Sequence, residues 1–166
     1  MAWPIRFLEH PPLRAMEDSY YPGSLDFDKF AIGDMAYYHE NGQPLRDPAR
    51  LREMHLTAHY FAHNAGRPPL VLALPDYSSP GAKLYFTVDG QCYSGQCTSC
   101  GKSVYSGFKC EGVPTTRGHY DAWTVSGAPP NITVTPSINY DVPAHDGYPA
   151  EHRYHGFVQN GIISDG

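Results

Sequence analysis

Apolar residues in this chain fall in short runs, and Gly, Pro, Asn and Asp stand between them. Leu70-Val71-Leu72-Ala73-Leu74 is continuous, follows Arg67-Pro68-Pro69 and stops at Pro75. A run too short for a helix and bounded by prolines predicts a buried strand. Pro75 to Gly81 predicts a turn, and Leu84 to Val88, with aromatic and β-branched residues, a second strand. Further strands are expected over 31–38, 122–127 and Ile132–Thr135, the last ending at Pro136-Ser137, and Val104 to Phe108 as a return strand. Tyr154–Val158 and Gly161–Ile163 flank Asn160-Gly161, a residue pair suited to the left-handed conformations of a tight hairpin. Asn41-Gly42 carries the same turn signal. Residues 141–153 read as a polar loop.

Helical period is confined to residues 47–63. Asp47 is a cap, Pro48 suits the first helical position, and no Gly or Pro occurs from Ala49 to His63. Leu51, Met54, Ala58, Phe61 and Ala62 form the apolar stripe, and Gly66 is the left-handed stop. Residues 1–30 show no period and hold Pro4, Pro11, Pro12 and Pro22. They predict an extended N-terminal arm that docks through Trp3, Phe7, Leu8, Tyr20, Tyr21, Phe27 and Phe30, on its own domain or on a neighbouring subunit. The expected fold class is α+β: a single, mainly antiparallel β-rich domain over 31–166 with one helix, an arm over 1–30, and a Cys-rich insert.

Composition narrows the classes. Gly and Pro number 16 each among 166 residues, which excludes a bundle of long helices. Aromatic residues at 13%, with 13 Tyr, argue against a disordered chain. No apolar run approaches the roughly 18–20 residues of a membrane span. Twelve basic against 17 acidic residues give a formal charge of −5, so no nucleic acid is expected as a partner. Pro4, Arg6, Glu9 and Pro11 interrupt the opening residues, so no signal peptide is expected and synthesis is expected to be intracellular.

All four cysteines lie in one stretch: Cys92, Cys97, Cys100 and Cys110. Cys97-Thr98-Ser99-Cys100-Gly101 has the spacing of a zinc knuckle, in which two thiolates meet one ion and the glycine lets the chain turn back. Strands flanking the knuckle would bring Cys92 and Cys110 beside it. A structural Zn²⁺ held by four thiolates is the expected cofactor, favoured by a reducing cytoplasm. Two disulfides, or free thiols, are the alternatives. Four thiolates leave no open position for a catalytic water.

Two histidine groups are candidates for chemistry. His55, His59 and His63 recur every fourth residue, so a continuous helix would put them roughly on one face, as a metal-binding row or as a solvated polar face. His145, His152 and His155, with Asp141, Asp146, Glu151 and Asp165 near in sequence, suggest a metal or acid–base role, or else His155 anchors the hairpin through a backbone hydrogen bond while His145 and His152 sit in a solvated loop. There is no H-E-x-x-H, G-x-S-x-G, phosphate loop or dinucleotide fingerprint. No catalytic or cofactor-binding residue is therefore assigned.

Several blocks occur in a fixed order: Ile32-Gly33-Asp34-Met35, Arg67 to Pro75, Trp123 to Gly127, Ile132 to Ile138, and Tyr154 to Gly161. Together they resemble a group of small, largely uncharacterised proteins encoded by tailed bacteriophages. More distantly, the Trp, Pro-Ser-Ile and His-x-Phe-Val elements are similar to small phage proteins often mislabelled as ammonia monooxygenase. The resemblance covers about residues 31–166 and implies a phage origin and a compact β-rich domain, with no catalytic set. The expected function is non-enzymatic binding to other proteins, as a virion-associated component that decorates or stabilises the head. The expected partners are other phage structural proteins or a host protein, with self-association open, and the expected location is the host cytoplasm or the virion. The alternatives are an intracellular effector that binds a host or defence protein, and a metal-dependent enzyme using His155 and His152.

Overall fold

The structure is a computed structural model that describes residues 1–15, 23–54, 56–90, 123–142 and 152–166, with the backbone alone at 141 and 142. Two sheets face each other. The first has five antiparallel strands in the order β1 (Ala2–Pro4), β11 (Ile162–Asp165), β10 (His152–Gln159), β9 (Thr133–Val142), β8 (Thr124–Ser126). The second has four, in the order β2 (Arg6–Phe7), β3 (Asp34–Tyr37), β6 (Leu70–Asp76), β7 (Ala82–Thr87). Its pairs are antiparallel except β2 on β3, which is parallel. The small hairpin β4 (His39–Glu40) and β5 (Gln43–Pro44) turns through Asn41 and Gly42, both at positive φ.

Strand β6 shows why the layers form. All its residues are buried. Side chains alternate along a strand, so Leu70, Leu72 and Leu74 enter the cluster between the sheets, while Val71 and Ala73 enter a second cluster beneath. Burial on both faces explains a continuous apolar run. The intersheet cluster is completed by Met35, Leu84, Phe86, Trp123, Ile132, Ile138, Tyr154 and Val158, among others. The second cluster gathers Leu25, Phe27, Phe30, Tyr38, Leu51, Leu56 and Tyr60. In contrast, β10 alternates buried and exposed positions, because its outer face meets solvent.

The single helix expected over 47–63 is broken. Helix α1 covers Pro48–Glu53, with Asp47 Oδ1 accepting from Ala49 N at 3.1 Å. Met54 is extended, Leu56 forms a bridge with Gly90, and the chain then winds into a π-helical turn over Tyr60–Asn64. The expected stripe is also displaced: Phe61, Ala58 and Ala62 are exposed, while Leu56, Thr57 and Tyr60 are buried. In a continuous helix Leu56 would stand about 140° from Leu51. Breaking the helix lets both enter one cluster.

The strand expected to stop at Pro136 runs through it to Val142. Ile138 pairs with Gly156 but Val134 pairs with Val158, so β9 takes four steps where β10 takes two. That bulge seats the proline, which lacks an N–H for the ladder. Strand β6 similarly continues through Pro75 to Asp76. The hairpin β10–β11 turns at Asn160 (φ 47°) and Gly161 (φ 78°), as its sequence predicts. Of the segment 1–30, residues 2–4 and 6–7 are strands of the two sheets, and Phe27 and Phe30 are buried against the same domain. Tyr20 and Tyr21 lie outside the described residues. No helix among the described residues is long and apolar enough to cross a membrane.

Candidate functional site

Among the described residues, a dense polar cluster forms where the end of β6 meets the start of β10. Asp76 continues the inward row of Leu70, Leu72 and Leu74, so its carboxylate is buried between the sheets. Oδ1 accepts from Ser78 N at 3.0 Å, Ser78 Oγ at 2.6 Å and Arg153 N at 2.9 Å. Oδ2 accepts from His152 Nδ1 at 2.8 Å. Burial alone would raise the Asp76 pKa, but the bonds from Ser78, His152 and the Arg153 amide outweigh it and hold the carboxyl below its ordinary range.

Tyr77 lies alongside. Its amide donates to Arg153 O at 2.6 Å, its ring packs 5.5 Å from that of Tyr154, and its hydroxyl donates to Asp165. Burial and the Asp165 carboxylate both push the Tyr77 phenol up. The Tyr154 hydroxyl donates to Ser164 O at 3.0 Å, and burial raises its pKa as well. These bonds tie the two sheets together at one corner.

Asp34 and Asp89 repeat the pattern. Asp34 takes the Arg6 guanidinium through two bonds, at 3.0 and 3.1 Å, and the Ala31 amide at 2.9 Å. Asp89 takes Arg67 at 2.8 and 3.0 Å and the Leu70 amide at 2.9 Å. The Tyr60 hydroxyl donates to Arg67 O, and burial, then Asp89, raises its pKa to about 12.

The histidine groups separate in space. His152 and His155 are three residues apart on one strand, so they face opposite sides: His152 is bonded to Asp76 and His155 is exposed. That arrangement does not bring the pair together at one site. His59 and His63 do meet, with ring centroids 4.7 Å apart. However, His59 Nε2 lies 3.1 Å from Val125 O, which engages that nitrogen as a donor. His55 and His145 lie outside the described residues, as do Cys92, Cys97, Cys100 and Cys110. Among the described residues no group of three or more His, Cys, Asp or Glu is placed to hold a metal.

A second candidate lies on the edge of the four-stranded sheet. An open groove of about 710 Å³ runs between residues 5–10 and Pro129-Pro130. Arg6 N and Leu8 N donate inward to Gly33 O and Met35 O, at 2.9 and 2.8 Å. The Phe7 ring packs edge-on to Tyr37 at 5.0 Å.

His152 stands out in the sequence but its partner Asp76 does not, because the two are 76 residues apart and the interval holds no shared motif. The available signal was a lone Asp ending an apolar strand, where a carboxylate needs donors. The groove was hidden because residues 5–10 have no period of their own. No protein-family model, no curated protein and no solved structure matches this chain.

Proposed function

We propose that the protein works by binding other proteins, as a virion-associated phage component that decorates or stabilises the head. The observation that carries a binding rather than a catalytic reading is the use of the buried carboxylates. Asp34, Asp76 and Asp89 each join segments far apart in sequence and have their acceptor oxygens engaged by side-chain donors (arginine for Asp34 and Asp89, histidine and serine for Asp76) and by backbone amides. Such ties rigidify a scaffold. The outer face of the five-stranded sheet complements them. Phe157 and Ile162, 38% and 40% exposed, are diagonal neighbours on β10 and β11 and present apolar surface to a partner.

The phage assignment rests on the ordered sequence blocks. A structural Zn²⁺ at Cys92, Cys97, Cys100 and Cys110 belongs to the same reading, supported by the donor chemistry of four thiols with a Cys-x-x-Cys pair. Quantitative mass spectrometry of purified particles tests the function. A fixed copy number per particle is expected. A chain abundant in infected cells and missing from particles overturns the virion reading, and recovery of a host protein with it would favour the effector alternative.

A further inference from the structure

Strand β2 is one edge of the four-stranded sheet, and among the described residues no strand pairs with its outer side. Arg6 and Leu8 turn their amides toward β3, so alternation turns the N–H and C=O of Phe7 the other way. No hydrogen bond among the described residues reaches that amide. Across the groove stand Pro129 and Pro130, which have no N–H to offer. An occupant therefore meets hydrogen-bonding backbone on one side and apolar rings on the other. An extended segment satisfies both, and the proline wall admits one strand rather than the edge of a second sheet.

Charge selects further. Arg6 is matched by Asp34. Glu9 is exposed and makes no ion pair among the described residues, and the chain carries a formal charge of −5. His10 beside it adds hydrogen-bonding capacity. The unmatched charge on the rim is thus negative.

We propose that the edge of β2 docks one extended segment of a partner protein, apolar at alternate positions and bearing a basic residue that reaches Glu9. The segment adds to the sheet as a strand beside β2. This inference rests on the protein-binding reading above.

The test is an NMR titration of the full chain with a short capped peptide alternating valine and lysine. Shifts confined to residues 5–10 and 129–130 are expected, with the Phe7 amide moving most. The same peptide with alternate amides N-methylated should not bind, and a valine–glutamate version should bind about tenfold more weakly. Phe7→Pro should abolish binding. Glu9→Lys, an exposed change that leaves the fold intact, should reverse the preference between the lysine and glutamate peptides. No shifts in this region at about 1 mM peptide, or equal binding of the N-methylated form, overturns the site. A chain present in particles that ignores the peptide refutes the edge site alone, and one that binds the peptide but is missing from particles refutes the virion reading alone.

Discussion

Asp76 makes the most informative single substitution, because one carboxylate accepts four bonds from three residues. An amide cannot accept all of them, since its NH₂ would face a donor. Asp76→Asn should cost about 1–3 kcal/mol, the usual penalty for a buried polar group left unmatched. The folded pKa of Asp76 is lowered, so its charge-linked contribution is fully present above the unfolded value of about 3.9 and is lost as pH falls through the lower folded value. The stability gap between wild type and Asp76→Asn should therefore be constant at neutral pH and narrow as the pH falls below the unfolded value of about 3.9. Thermal melts of both proteins from neutral to acid pH measure it; a gap that does not narrow on acidification would place the effect in packing rather than charge. Asp165 is also lowered, by its bonds from the amino terminus and Tyr77, but it is common to both proteins and cancels in the difference.

At the scale of elements, the broken helix reverses the burial that the continuous helix predicts. A continuous helix would bury Phe61 and expose Leu56, whereas the structure leaves Phe61 43% exposed and Leu56 5% exposed. Leu56→Ala should cost about 2–5 kcal/mol, and Phe61→Ala should fall within about 0.5 kcal/mol of wild type. Chemical denaturation of the two variants decides between the arrangements, and the reverse order would restore the long helix. The β10–β11 turn gives a second check. Gly161→Ala places a Cβ 2.9 Å from Pro130 O at a φ of 78° and should cost at least about 1–2 kcal/mol. These elements also show what was legible in the sequence. β6 was visible because burial on both faces leaves an unbroken apolar run, and the turns were visible because Asn-Gly has few other uses. The Asp47 cap was visible, but the helix length was not, because the break depends on Leu56 meeting Gly90, a residue distant in sequence. The passage of β9 through Pro136 was hidden for a related reason: a bulge is a property of the pair of strands, not of either alone.

At the scale of the molecule, the Cys-bearing stretch lies outside the described residues, but its flanks are anchored. Gly90 is bridged to Leu56, and Trp123 packs edge-on to Phe86 at 5.2 Å, in the intersheet cluster. The stretch thus leaves one sheet after β7 and the chain rejoins the other at β8. Its cysteine spacing was legible, whereas the groove beside β2 was not, because that site exists only once residues 5–10 are placed opposite Pro129 and Pro130. Anchored flanks lead to a definite expectation for the metal. A Zn²⁺ bound by the folded chain stabilises it by mass action, so a chelator should lower the melting temperature. The described part of the intersheet cluster draws on both sheets, so Trp123 should keep its environment below the melt. The chain has two tryptophans, and Trp3→Phe leaves Trp123 as the sole tryptophan, excited selectively at wavelengths the 13 tyrosines do not absorb. Native mass spectrometry should show loss of one Zn²⁺ per chain on chelation, with no change in Trp123 emission, and Cys97→Ser or Cys100→Ser should reproduce both results. A red-shifted emission on chelation would mean that the Cys-bearing stretch is part of the core. A metal-free chain lighter by about four hydrogens would instead carry two disulfides.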